Sequence, residues 1–65
     1  MKCKLKVIFA ERDIKQRDFA KDIGISEGAL GLIKNQKSIP TLPVAMKIAK
    51  KLNMYIEEIW IENDQ

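Results

Sequence analysis

Sixty-five residues, 46% hydrophobic and 32% charged, suffice for one small packed domain spanning residues 1–65, and argue against disorder and against a separate catalytic or ligand-binding domain. With no His and one Cys, a metal site built from His and Cys ligands is excluded, and Cys3 reads as a free thiol in a reducing cytoplasm. The net charge of +3 conceals an asymmetry: residues 1–51 hold all twelve Lys and Arg against five acids, a balance of +7, while residues 52–65 hold only Glu57, Glu58, Glu62 and Asp64. A basic body of this kind suits a polyanion partner, with the acidic end facing away from it.

The opening MKCKLKVIFA is basic with an apolar patch, but Val7 to Ala10 is too short for a signal-peptide core and runs directly into Glu11, Arg12 and Asp13. No later run approaches transmembrane length, so a soluble cytoplasmic protein is expected. Residues 2–12 fit two periods. Cys3, Leu5, Val7 and Phe9 alternate with Lys2, Lys4 and Lys6 as in a strand, whereas Leu5, Ile8, Phe9 and Arg12 share a helix face.

From Gln16 the pattern is clear. Gln16, Phe19, Ala20 and Ile23 lie on one helix face, and Gly24 supplies the left-handed residue that ends such a helix, with apolar Ile25 closing the cap. Ser26 is a good N-cap for a second helix whose inward stripe is Ala29, Leu30 and Ile33. Two short helices joined by so tight a turn form a helix-turn-helix. The second helix ends near Asn35, and Lys37 to Pro40 connect it to a further helix capped by Thr41, with Pro43 in the first turn. Leu42, Ala45, Met46, Ala49 and Leu52 give that helix its stripe, supported by Ile48, and Asn53 is its left-handed C-cap. Ile56, Ile59 and Trp60 form a last short helix, with Glu57 and Glu58 near its N-terminus.

The stretch QRDFAKDIGISEGALGLIKN resembles the lambda-repressor-like (Cro/Xre) family, whose pattern is roughly Q-x-x-[LF]-A-x-x-[LI]-G-[VI]-S-x-x-x-[IL]-x-x-[IL]. Gln16, Phe19, Ala20, Ile23, Gly24, Ile25, Ser26, Leu30 and Ile33 match it without a gap. The likeness runs from residue 5 to residue 60, and the later PTL and KIAKKLNMYIEEIW segments follow the family as well. It implies an all-α, compact five-helix domain, and favours a helix over residues 2–12. Three positions depart from the family. Lys15 stands where a capping Thr or Ser is usual, Gln36 replaces a glycine so that Asn35 is expected to cap, and an Arg–acid pair is replaced by Phe9 and Lys34. Phe9 is expected to pack, leaving Lys34 for solvent or phosphate.

By the same resemblance the first helix of the motif crosses the DNA backbone and the second lies in the major groove. Gln16 and Arg17, with Asn35, Lys37 and Ser38 beyond the second helix, are then the phosphate-binding residues. Glu27, Gly28, Gly31 and Leu32, with Ala29 at the margin, are the base-reading positions. Glu27 is able to accept from cytosine N4 and Leu32 to pack on a thymine methyl, while the glycines let backbone approach the groove. So bare a surface implies modest direct readout and more reliance on DNA shape. A core role for Leu32 is the alternative, although Leu30 and Ile33 already claim the inward face.

Such a domain reaches specificity as a homodimer, and its interface is expected at Ile61, beside Trp60, with Val44 as a second candidate. The leading expectation is a sequence-specific DNA-binding regulator, a repressor or Cro-like switch, without cofactor. The competing one is a protein-interaction module on the same fold: an antitoxin, antirepressor or regulator subunit. An enzyme is rejected, because no His, no activated nucleophile and no Gly-rich phosphate loop is present.

Overall fold

The two ends of the chain meet in a short antiparallel ribbon. The computed structural model describes residues 1–62, and in it β1 (Lys2–Cys3) pairs with β2 (Trp60–Ile61), with Lys2 opposite Ile61 and Cys3 opposite Trp60. The Lys4 N–H extends the ribbon by donating to the Ile59 carbonyl at 2.8 Å. Between the strands lie α1 (Leu5–Glu11), α2 (Gln16–Ile23), α3 (Glu27–Lys34), α4 (Leu42–Leu52) and α5 (Ile56–Ile59). Five helices are therefore present among the described residues, but the fold is not strictly all-α. The helix favoured over residues 2–12 begins only at Leu5, because Lys2 and Cys3 are drawn into pairing with Ile61 and Trp60. Trp60, expected in the last helix, stands in β2 instead.

Helices α1 to α4 all end in one way. A left-handed residue follows one or two positions past the helix, at Asp13 (φ 54°), Gly24 (φ 79°), Gln36 (φ 62°) and Asn53 (φ 58°). The next residue's N–H then reaches back to a carbonyl of the last turn: Ile14 to Phe9, Ile25 to Ala20, Lys37 to Leu32, Met54 to Ala49, at 2.8 to 3.0 Å. This is the Schellman closure, which satisfies carbonyls a helix end leaves free. Gly24 and Asn53 fill the role expected of them. Asn35, expected to cap α3, keeps φ −90°, and Gln36 takes the left-handed position itself. At the opposite ends, the Ser26 Oγ accepts from the Ala29 N–H at 3.0 Å, and Glu58 accepts from the Tyr55 N–H at 2.8 Å, so an acid at the start of α5 caps it. Thr41 has extended N-cap geometry but its side chain makes no capping bond.

The core is apolar, with no buried polar or charged residue among those described. Leu5, Leu30, Ile48 and Ile59 are its most completely enclosed large side chains, at 0% exposure. Ile14, Ile25 and Met54, each the residue after a left-handed cap, pack against it, so three of the four closures anchor the chain hydrophobically. On α4 the inward stripe is Ala45, Ile48, Ala49 and Leu52; Leu42 and Met46, expected within it, face solvent. The Arg12 guanidinium donates to the Leu52 carbonyl at 2.7 Å and ties the end of α1 to the end of α4. Lys51 pairs with Asp22 at 3.1 Å between α4 and α2 on the half-exposed surface. Among the described residues no helix is long and apolar enough to cross a membrane.

Candidate nucleic-acid interface

Helices α2 and α3 are fixed to each other at both ends of the turn. The Gly24 closure needs a left-handed residue, which glycine adopts without the Cβ clash other residues meet. Two residues later Ser26 caps α3, so Glu27 becomes its first residue. At the far end of α2, the Gln16 side chain reaches across: its Nε2 donates to the Glu27 carbonyl at 3.0 Å. A Cβ on Gly31 would sit 3.0 Å from that same nitrogen. The glycine is the space into which Gln16 fits. Gln16 was expected at a phosphate; its carbonyl oxygen and second amide hydrogen carry no protein bond among the described residues and remain for an outward partner.

The outward side of α3 follows from this packing. Leu30 and Ile33 are buried, whereas Ala29, expected beside them in the inward stripe, is exposed together with Glu27 and Gly28, and Leu32 stands 50% exposed. Leu32 is therefore on the open face of the helix and not in the core. Nothing lies within 4 Å of a Cβ built on Gly28, in contrast to Gly31. The face is thus one carboxylate, one short stretch of accessible backbone and one apolar side chain. Glu27 lies in the first turn of α3, where the helix field favours a carboxylate.

Cations and hydrogen-bonding groups flank the motif in the chain, Arg17 in the first turn of α2 and Asn35, Lys37 and Ser38 just past α3. Arg17, Asn35, Lys37 and Ser38 are all exposed. Lys37 occupies the residue after the left-handed cap, where the other three closures place an apolar anchor. The α3 closure accordingly offers a charge to solvent where its counterparts insert a hydrophobic side chain. Its hold comes from elsewhere: the Gln36 Oε1 accepts from the Cys3 N–H at 3.1 Å and ties the cap to β1. Gln36 stands where the family has a glycine, and it keeps that glycine's left-handed backbone although glutamine itself carries no signal for it. Lys34 also differs from expectation. It is half-buried, with Nζ 5.9 Å from the centre of the Phe9 ring, a cation–π distance. Phe9 packs in turn on Phe19, ring centres 4.9 Å apart and planes at 53°. An aromatic pair thus holds the last cation of α3.

The residues expected at a dimer interface differ in exposure. Trp60 is buried, Val44 is half-buried against the core, and Ile61 is 38% exposed on β2 opposite Lys2. Asp64, the last of the C-terminal acids, lies outside the described residues. Burial pushes the Cys3 thiol above its ordinary pKa, against smaller opposing effects from hydrogen bonds to the Leu5 backbone and to Trp60. Among the described residues no group of three or more His, Cys, Asp or Glu gathers as a metal site would require.

The arrangement has counterparts among known proteins. A family model described as the Cro/C1-type HTH DNA-binding domain matches residues 4–65. An uncharacterized HTH-type transcriptional regulator of Methanocaldococcus jannaschii is 41% identical over 64 residues, covering 98% of this chain and 97% of the relative. An uncharacterized HTH-type transcriptional regulator of Archaeoglobus fulgidus is 29% identical over 65 residues, covering all of this chain and 92% of the relative. A second regulator from that organism is 28% identical over the same length, with 93% of it covered.

Proposed function

The chain belongs to the Cro/C1-type HTH DNA-binding family, and from that premise we propose that it is a sequence-selective regulator of transcription, of the repressor or Cro-like kind, with α3 in the major groove of duplex DNA. The observation that carries this reading is the exposed outward face of α3, held in register with α2 by the Gln16 bond to Glu27. Arg17, Lys37, Asn35, Ser38 and the free edge of the Gln16 amide grip phosphates, which supplies affinity and salt dependence. Glu27 accepts from cytosine N4, Leu32 meets a thymine methyl, and the open backbone at Gly28 lets the helix sit close to the base edges. With so few discriminating groups, DNA shape supplies much of the rest. Specificity is completed by a two-fold pair of chains on half-sites about one helical turn, ~34 Å, apart. A genomic target places the protein inside the cell.

A second reading draws on the same bare face. A groove side carrying one carboxylate, the open backbone at Gly28, an alanine and a leucine is also suited to a protein partner, as in an antitoxin or antirepressor. Electrophoretic shifts of random-sequence duplex at several salt concentrations separate the two: DNA binding weakens steeply as salt rises, and a protein-only module shows no shift even at low salt.

A further inference from the structure

Four of the chain's lysines converge on one open cleft of about 460 Å³ between α2 and α4. Lys21 and Asp22 come from the last turn of α2, and Lys47, Lys50 and Lys51 from the second half of α4. All four lysines are exposed. Asp22 is the one acid on the cleft wall and is already paired with Lys51 at 3.1 Å, so Lys21, Lys47 and Lys50 have no carboxylate partner among the described residues. The negative field at the ends of α2 and α4 suits the cations of their last turns, Lys21, Lys50 and Lys51, but Lys47 stands a turn earlier and gains little from it. The cleft is also set apart from the outward face of α3. The Gln16 bond to the Glu27 carbonyl places the start of α2 beside the start of α3, whereas the cleft lies at the other end of α2, roughly 8–12 Å along its axis. No cleft residue belongs to α3 or to the segment beyond it that carries Lys37 and Ser38.

We propose that this lysine cleft is a second duplex-binding surface, which holds the phosphate backbone of another DNA segment so that one chain, on the reading of α3 given above, bridges two duplexes. Charge selects the occupant. The described residues include no buried polar or charged side chain, so nothing in the cleft wall grips a single small anion away from water. Exposed ammonium groups act instead by summed attraction and counterion release. That requires closely spaced phosphates, and duplex DNA presents one charge about every 1.7 Å. Three lysines free of acids give a weak contact, with a salt exponent of roughly −2.7, in the manner of sequence-independent binding. Joined to the α3 contact, the weak grip acts at the high effective concentration that the first contact sets.

Capture of a fluorescent duplex by a bead-bound duplex tests it, with the whole chain at a concentration that saturates the bound duplex. The wild type is compared with Lys21→Glu/Lys50→Glu, with Lys21→Arg/Lys50→Arg and with a charge-matched control outside the cleft, Lys2→Glu/Lys6→Glu. Every altered side chain is exposed, and circular dichroism verifies that each variant is folded. The wild type, the Arg variant and the control capture the second duplex, and wild-type capture falls about 40-fold between about 50 and about 200 mM salt. Lys21→Glu/Lys50→Glu lowers capture at least about tenfold while its affinity for a single duplex stays within about threefold of the wild type. Poly-glutamate or inorganic tripolyphosphate, at the charge concentration of the second duplex, leaves capture in place. Competition by either as strong as that of unlabelled duplex overturns the assignment to DNA. A wild type that binds one duplex yet captures no second overturns the inference and leaves the reading of α3 in place. So does capture by Lys21→Glu/Lys50→Glu equal to that of the wild type, or an equal loss in the control. Duplex binding that survives Arg17→Ala/Lys37→Ala and is lost in Lys21→Glu/Lys50→Glu overturns the reading of α3 and leaves the cleft as a duplex-binding surface.

Discussion

The side-chain amide of Gln16 fills the space that a methyl group on Gly31 would need, the two standing 3.0 Å apart. Through this fit the start of α2 bonds to the first carbonyl of α3, and the two helices of the motif share one register. Gly31→Ala gains roughly 1 kcal/mol of helix propensity and puts at risk a hydrogen bond of roughly 0.5–1.5 kcal/mol, so its stability stays near that of the wild type. Gly28→Ala meets no neighbour and gains the full propensity. Thermal unfolding of both variants separates the positions: equal stabilisation would show that Gln16 does not hold α3.

The left-handed closures predict a second contrast. Gly24→Ala is free of steric clash yet forces a Cβ into left-handed backbone, at about 1–2 kcal/mol. Gln36 already bears that strain, so Gln36→Gly relieves it while giving up the bond to the Cys3 N–H, and stability changes by less than about 1 kcal/mol. Gln36→Ala keeps the strain and loses the bond, and is the least stable of the three at that position. Urea unfolding of the Gln36 series measures the order, and a Gln36→Gly variant less stable than Gln36→Ala would contradict it.

On DNA, Arg17→Ala and Lys37→Ala weaken binding to all duplexes alike and each reduces the salt slope by about one unit. Lys37 is the more informative, since its position after the α3 cap is filled in the other closures by a core residue. Titrations at several salt concentrations test both. A Lys37→Ala variant that altered base preference with its salt slope intact would remove Lys37 from the phosphate contacts.

Cys3 gives a prediction in pH. Its folded pKa is raised, chiefly by burial, so folding favours the protonated thiol. The stability this contributes is fully present below the unfolded thiol pKa and is lost as pH rises through the folded value, in the alkaline range. The thiol therefore alkylates more slowly in the native chain than in the urea-unfolded one at the same pH. Equal rates would contradict the burial.

The helix-turn-helix was legible in the sequence because Gly24, Ser26 and the apolar spacing of α2 and α3 each carry a local signal, and all agree. Asn53 was legible for the same reason. The terminal ribbon was not: strands of two residues show no period, and Cys3 finds its partner Trp60 only at the far end of the chain. On α4, Leu42 and Met46 share the helical spacing of the core residues, and spacing alone does not tell an inward stripe from an apolar ridge facing outward. The Gln16 bond to Glu27 is a tertiary contact that no spacing encodes. The same holds for Lys34, whose place over Phe9 depends on how α1 and α3 approach.

We propose that the outward face of α3 reads bases, chiefly through Glu27, the exposed carboxylate on it that suits cytosine N4. Selection of bound sites from random duplexes, run in parallel with the wild type and Glu27→Gln, tests it most directly. The account predicts an enriched site for each protein, with the preference changed at one base pair per half-site and discrimination there altered by about 1–3 kcal/mol. The same enriched site for both proteins, or no enrichment with either, would contradict it.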